Sequence, residues 1–130
     1  MPLVHHELCF GCGRTNVFGL LLELERTDEG AVAGRCFIKQ DHQGSEPGLA
    51  HEGIITTALS EAMALACGQH ARPRTIEVVL EGTVQVGTFV GIEAGVEGAV
   101  DGEMRAAASA TAEHHVIARA SGTYTADVHR

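Results

Sequence analysis

The stretch "GLAHEGIITTALSEAMALACG", residues 48–68, decides the fold. From Gly53 onward it is dense in Ala, Leu and Met, runs long enough for four helical turns, and is closed by Gly68 and then Pro73. At about 100° per residue, Thr57, Ser60, Glu61 and Ala64 share one face, while Ile54, Ile55, Ala58, Leu59, Ala62, Met63, Leu65 and Ala66 fill the rest. A helix apolar on nearly every side has to be wrapped.

The flanking sequence supplies the wrapping. "LLLELER" (20–26) and "AVAGRCFI" (31–38) flank "TDEG" and read as a β-hairpin, and "KQDHQGSEPGLA" (39–50) reads as a polar loop. After the helix come "TIEVVLEG", "TVQVGTFVGIEAGVEG", "MRAAASATAEHH" and "VIARASGTYTAD", which are rich in Val, Ile and Thr, partly alternating, and punctuated by glycine. Two strands, one buried helix and about four more strands predict an α+β fold, with one antiparallel sheet curled around a central helix. At 130 residues the expectation is a single domain spanning 1–130.

Seventeen acidic residues against nine basic ones give a formal charge of −8, which opposes binding to nucleic acid or to an anionic membrane surface. The N-terminus shows no basic region followed by an apolar one, and the longest apolar run is too short for a bilayer, so a soluble cytoplasmic protein is expected. Cys9-Phe-Gly-Cys12 looks like half of a zinc ribbon. His5 and His6 offer further ligands, but a structural site wants a second close pair, and Cys36 and Cys67 stand alone. The expectation is four reduced thiols, no metal and no cofactor.

The lone carboxylate in the helix carries the functional question. A buried, unpaired Glu61 is costly, so it should lie at a wet cleft, pair with a cation or titrate at raised pH, and each outcome suits a general base or nucleophile. The alternative is a polar stripe that faces solvent. His51, Glu52 and Gly53 sit where the helix begins, where free N–H groups and the positive dipole end can receive an oxyanion. Glu52 at that end also fits plain dipole compensation, and His51 fits a packing role in the loop.

These residues resemble the hotdog-fold acyl-CoA thioesterases, in the subgroup similar to phenylacetate-pathway thioesterases. "CFGCGRTNVFGLLLEL" is similar to the subgroup's opening at Cys9, Cys12, Gly13, Asn16, Gly19 and Leu20. "HQGSEPGLAHEGIITTALSEAMA" resembles the segment entering the central helix, with Gln43 and Gly44 ahead of a His-Gly-Gly element at His51, Glu52 and Gly53. "VLEGTVQVG" resembles a later strand, with Thr83 at its usual proline and Gly87 at its glycine.

The resemblance implies hydrolysis of a small or medium acyl-CoA thioester at a site shared between two subunits of a homodimer or homotetramer. Glu61 would act as base or nucleophile, Ser60 or Thr57 would position water, Gly53 would supply oxyanion N–H groups, and Gln43 and His51 would shape the site. Glu52 joins the substrate-binding candidates, with Arg72 and Arg74 for the coenzyme A phosphates. The chain departs from the pattern where the subgroup has Asp-Glu: here the pair is Ser60-Glu61, which puts the carboxylate about 100° further round the helix. A non-catalytic module that binds acyl-CoA or another small ligand is therefore the alternative. A dehydratase would want a His-x5-Gly-type strand arrangement, which is not evident.

Overall fold

The computed structural model describes residues 2–125. Its element order is β1 (Glu23–Arg26), β2 (Val32–Phe37), a 3-10 turn (Gln40–His42), α1 (Glu52–Cys67), β3 (Pro73–Leu80), β4 (Phe89–Val100), β5 (Glu103–Ala112) and β6 (His115–Thr125). The six strands form one sheet in the order β1-β2-β4-β5-β6-β3, antiparallel throughout. The expected α+β architecture, a central helix against a curved antiparallel sheet, is what the chain adopts.

The element boundaries differ modestly from the sequence reading. The first strand begins at Glu23 rather than Leu20, because Leu20 and Leu22 give their N–H groups to Phe10 and Gly11 of the N-terminal segment. Residues 83–88 precede β4 as a loop, and the expected polar loop contains the 3-10 turn. Ala126 and Asp127, read as the end of the last strand, lie outside the described residues. Asp101-Gly102 and Glu113-His114 take positive φ, as two-residue hairpins require, and close β4–β5 and β5–β6.

The core explains the alignment. On β5 the buried positions alternate as Ala106, Ala108, Ala110 and Ala112, and Ala118 and Ala120 continue the same small-residue surface on β6. Ala58, Ala62 and Ala66 recur at i+4 along α1, beside fully buried Leu59 and Met63. Small side chains on both surfaces let the helix seat closely on the sheet. Among the described residues no helix is long and apolar enough to cross a membrane.

The edge strand β3 pairs only with β6, and Ile76, Val79 and Leu80 on it are exposed. An unpaired edge bearing apolar side chains is a template for another strand.

Candidate functional site

Two neighbourhoods meet the chemistry-bearing side of α1. The first is an open cleft of about 410 Å³ at the helix start. Four residues singled out by sequence line it, namely Gln43, His51, Gly53 and Thr57. They are joined by Phe10, Asp41, His42 and Ile54.

His51 is the N-cap of α1. Its extended backbone (φ −64°, ψ 139°) lets the ring fold back, so Nδ1 accepts the Gly53 N–H at 2.7 Å. A ring nitrogen that accepts leaves the hydrogen of the neutral imidazole on Nε2, which is then a donor. The Gly53 N–H expected for an oxyanion is thus occupied by the cap. Thr57 donates its hydroxyl to the Gly53 carbonyl at 2.7 Å, which keeps the oxygen lone pairs available. Gln43 braces the loop, its amide nitrogen donating to the Gln40 carbonyl at 2.8 Å and its oxygen accepting from Gly48 N–H.

Sequence reasoning passed over Asp41 and His42 as part of a polar loop. His42 is 3 % exposed, accepts the Lys39 N–H at Nδ1 (3.0 Å), and has no hydrogen-bond partner at Nε2 among the described residues. Burial pushes its pKa below the ordinary histidine value. The acid-histidine pair directly ahead of Gln43 was the available signal.

The second neighbourhood holds Glu61. The N-terminal segment turns tightly here, with Gly13 N–H donating to the Cys9 carbonyl at 2.9 Å and Asn16 donating to the Leu8 carbonyl at 3.0 Å. It seats against Glu61 so closely that a Cβ at Gly11 would come within 2.6 Å of the Glu61 carboxyl carbon. The Glu61 side chain is 13 % exposed and its Oε2 accepts from His5 Nδ1 at 2.7 Å and from the Cys9 thiol at 3.2 Å. Burial works to raise the Glu61 pKa, but the bonds from His5 and the two thiols outweigh it and hold the carboxyl below its ordinary value. The Glu61 hydrogen bond, against the pull of burial, drives His5 up to about 9. Burial, reinforced by Glu61, pushes the Cys12 thiol up. The buried carboxylate is thus hydrogen-bonded to the His5 ring and the Cys9 thiol.

The remaining candidates lie apart from the cleft. Ser60 faces the fully buried Tyr124, whose hydroxyl donates to the Ser60 carbonyl at 3.1 Å. Glu52 lies 3.7 Å from His51 Nδ1 and lines a separate hollow with Ile55 and Leu80. Arg72 and Arg74 follow the opposite end of α1, ~24 Å away by the helical rise, and Arg74 pairs with Glu103 at 3.0 Å. Two polar residues of the stripe are therefore covered within the protomer, Glu61 by the N-terminal turn and Ser60 by Tyr124, while Thr57 opens onto the cleft.

No protein-family model and no curated protein matches the sequence. Solved structures do match in fold. A thioesterase superfamily protein superposes with a TM-score of 0.80 at 15% identity over 87% of this chain, which spans 60% of that longer protein. An uncharacterized protein from Pyrococcus horikoshii matches all of this chain and 97% of its own, with a TM-score of 0.78 at 15% identity. The E. coli PaaI protein from the phenylacetic acid degradation operon matches with a TM-score of 0.75 at 14% identity, over 84% of this chain and 81% of that one. The chain has the hotdog fold, and its structural neighbours include proteins of the thioesterase superfamily.

Proposed function

We propose that the chain hydrolyses a small or medium acyl-CoA thioester in the cleft at the start of α1. The observation that carries this is the convergence on one cleft of a helix N-terminus, the His51 ring donor, the Thr57 hydroxyl and the Asp41 carboxylate. The thioester carbonyl is polarised by the positive helix end and by His51 Nε2–H. Thr57 holds the attacking water through its free lone pairs, and Asp41, the one carboxylate among the cleft's lining residues, takes the proton.

The resemblance would give that last role to Glu61. For Glu61 to act it must leave His5 and Cys9, whereas Asp41 lines the cleft itself, so the role falls to Asp41. The absence of a free helix carboxylate from the cleft also favours the second reading, a module that binds an acyl thioester without cleaving it. Turnover of a panel of acyl-CoAs by the purified chain, with calorimetric binding of a non-hydrolysable thioether analogue, separates the two. Hydrolysis of any member supports the proposal, binding without turnover supports the module, and neither binding nor turnover rejects both.

The proposal includes a homodimer or homotetramer in which the β3 edges of two chains meet and the sheet continues across them, covering Ile76, Val79 and Leu80. In that assembly Arg72 and Arg74 serve coenzyme A phosphates at the partner's cleft, since they stand far from their own. Light scattering at micromolar concentration should give at least twice the 13.7 kDa chain mass. A monomer would remove the shared site.

A further inference from the structure

We propose that His5, Cys9, Cys12 and Glu61 form a structural zinc site that ties the N-terminal turn to the middle of α1. Their ligand atoms all lie within 4.8 Å of one another, although Glu61 is separated from Cys9 by 52 residues of sequence. The sequence expectation of a metal-free chain rested on the lack of a second ligand pair beside Cys9 and Cys12. Folding supplies that pair from His5 and Glu61.

The geometry fits one ion. With Zn–S near 2.3 Å and Zn–N or Zn–O near 2.0–2.1 Å, a tetrahedral site places S and N ligands ~3.6 Å apart, S and O ~3.5 Å apart, and N and O ~3.3 Å apart. His5 Nδ1 stands 3.6 Å from Cys12 Sγ and 3.7 Å from Cys9 Sγ, at the tetrahedral spacing already. Glu61 Oε2 is 3.2 Å from Cys9 Sγ and 2.7 Å from His5 Nδ1, so a modest opening of the carboxylate against His5 admits the ion. The ion displaces the hydrogen between His5 and Glu61 and the protons of both thiols, which are released to solvent on binding.

The surroundings fit as well. The His5 backbone N–H donates to Cys12 Sγ at 3.1 Å, a bond that favours the thiolate. The tight turn that presents both sulfurs on one side closes through the Gly13 N–H. Two thiolates, an imidazole and a carboxylate are a soft, nitrogen- and sulfur-dominated set that prefers zinc to magnesium or calcium. Four protein ligands, with Cys12 buried and the others half-buried, make a closed site, so the ion's role is structural. Glu61 is then a ligand, held out of the reaction. The inference stands independently of the thioester reading, because none of the four ligands is among the cleft's lining residues and the site is read out by metal content.

The test is elemental analysis of the full chain purified under reducing conditions without added metal, followed by chelator stripping and cobalt titration. One zinc per chain is expected, and a tetrahedral cobalt spectrum with a thiolate-to-metal charge-transfer band should saturate at one equivalent. Cys12→Ser and Glu61→Gln should each drop the bound zinc well below one, while Cys36→Ser and His6→Ala keep it. Where a variant fails to fold, the cobalt spectrum of the wild-type chain decides alone. A folded wild-type chain that carries no zinc and shows no thiolate–cobalt band overturns the site, as does zinc that survives both ligand substitutions.

Discussion

Asp41→Asn should lower kcat for the best acyl-CoA substrate by roughly a hundredfold or more, the size expected when an acid–base group is removed. The exposed position of Asp41 on the 3-10 turn means that the fold should survive, so the loss would be read in kcat rather than in protein yield. Glu61→Gln is the informative companion, assayed at matched zinc content. Should Glu61→Gln produce the large loss while Asp41→Asn leaves kcat intact, the base is Glu61 and the proposed division of labour is wrong. Ser60→Asp adds a carboxylate where the resembling subgroup carries one. A gain of activity over a nearly inactive parent would identify the natural chain as the binding module.

Gly19→Ala should cost about 2–3 kcal/mol of stability, the upper part of the range for overpacking, because the clash is with backbone. A Cβ at Gly19 would fall on the carbonyl oxygen of Phe10, and that oxygen already accepts the Leu20 N–H that docks the N-terminal turn. Neither group can step aside without losing the turn. Gly30→Ala is the contrast: nothing lies within 4 Å of its Cβ, and only its φ of +85° resists, so about 1 kcal/mol is expected. Thermal unfolding of the two variants should therefore differ by several degrees. Equal melting temperatures would mean that the N-terminal turn is not docked as described.

The helix and sheet were legible because their signals are local. A largely apolar run ended by Gly68, which forms a sixteen-residue helix, and Val-rich segments between turn residues state their own geometry. Gln43, His51, Gly53 and Thr57 were legible as a group because three of them lie on one helix start and the fourth on the loop that leads to it. Glu61 shows where this ends. Its spacing placed it on a polar stripe, but what covers the stripe comes from residues 5–13, and no periodicity within the helix reveals a partner some fifty positions upstream. The same holds for the four-ligand cluster, since Cys9 and Cys12 announce a turn whereas His5 and Glu61 become neighbours only after the chain has closed. Asp41 and His42 were missed for a different reason: three residues of 3-10 turn inside a polar loop carry no periodicity, and the acid-histidine pair ahead of Gln43 was the one signal there.

The alanine surface shared by α1, β5 and β6 also bears on how the proposed substrate would be held. Ala106, Ala108, Ala110, Ala118 and Ala120 on the sheet, with Ala58, Ala62 and Ala66 on the helix, leave the two layers in direct contact, with Leu59 and Met63 filling what remains. A sheet faced with larger side chains would hold the helix further off and leave seams between them. In the proposed reaction the acyl group lies in the open cleft, where Phe10 and Ile54 are the apolar side chains of the lining. Chain-length preference in that reaction would then rest on those two side chains, open to change by substitutions that leave the folding core untouched.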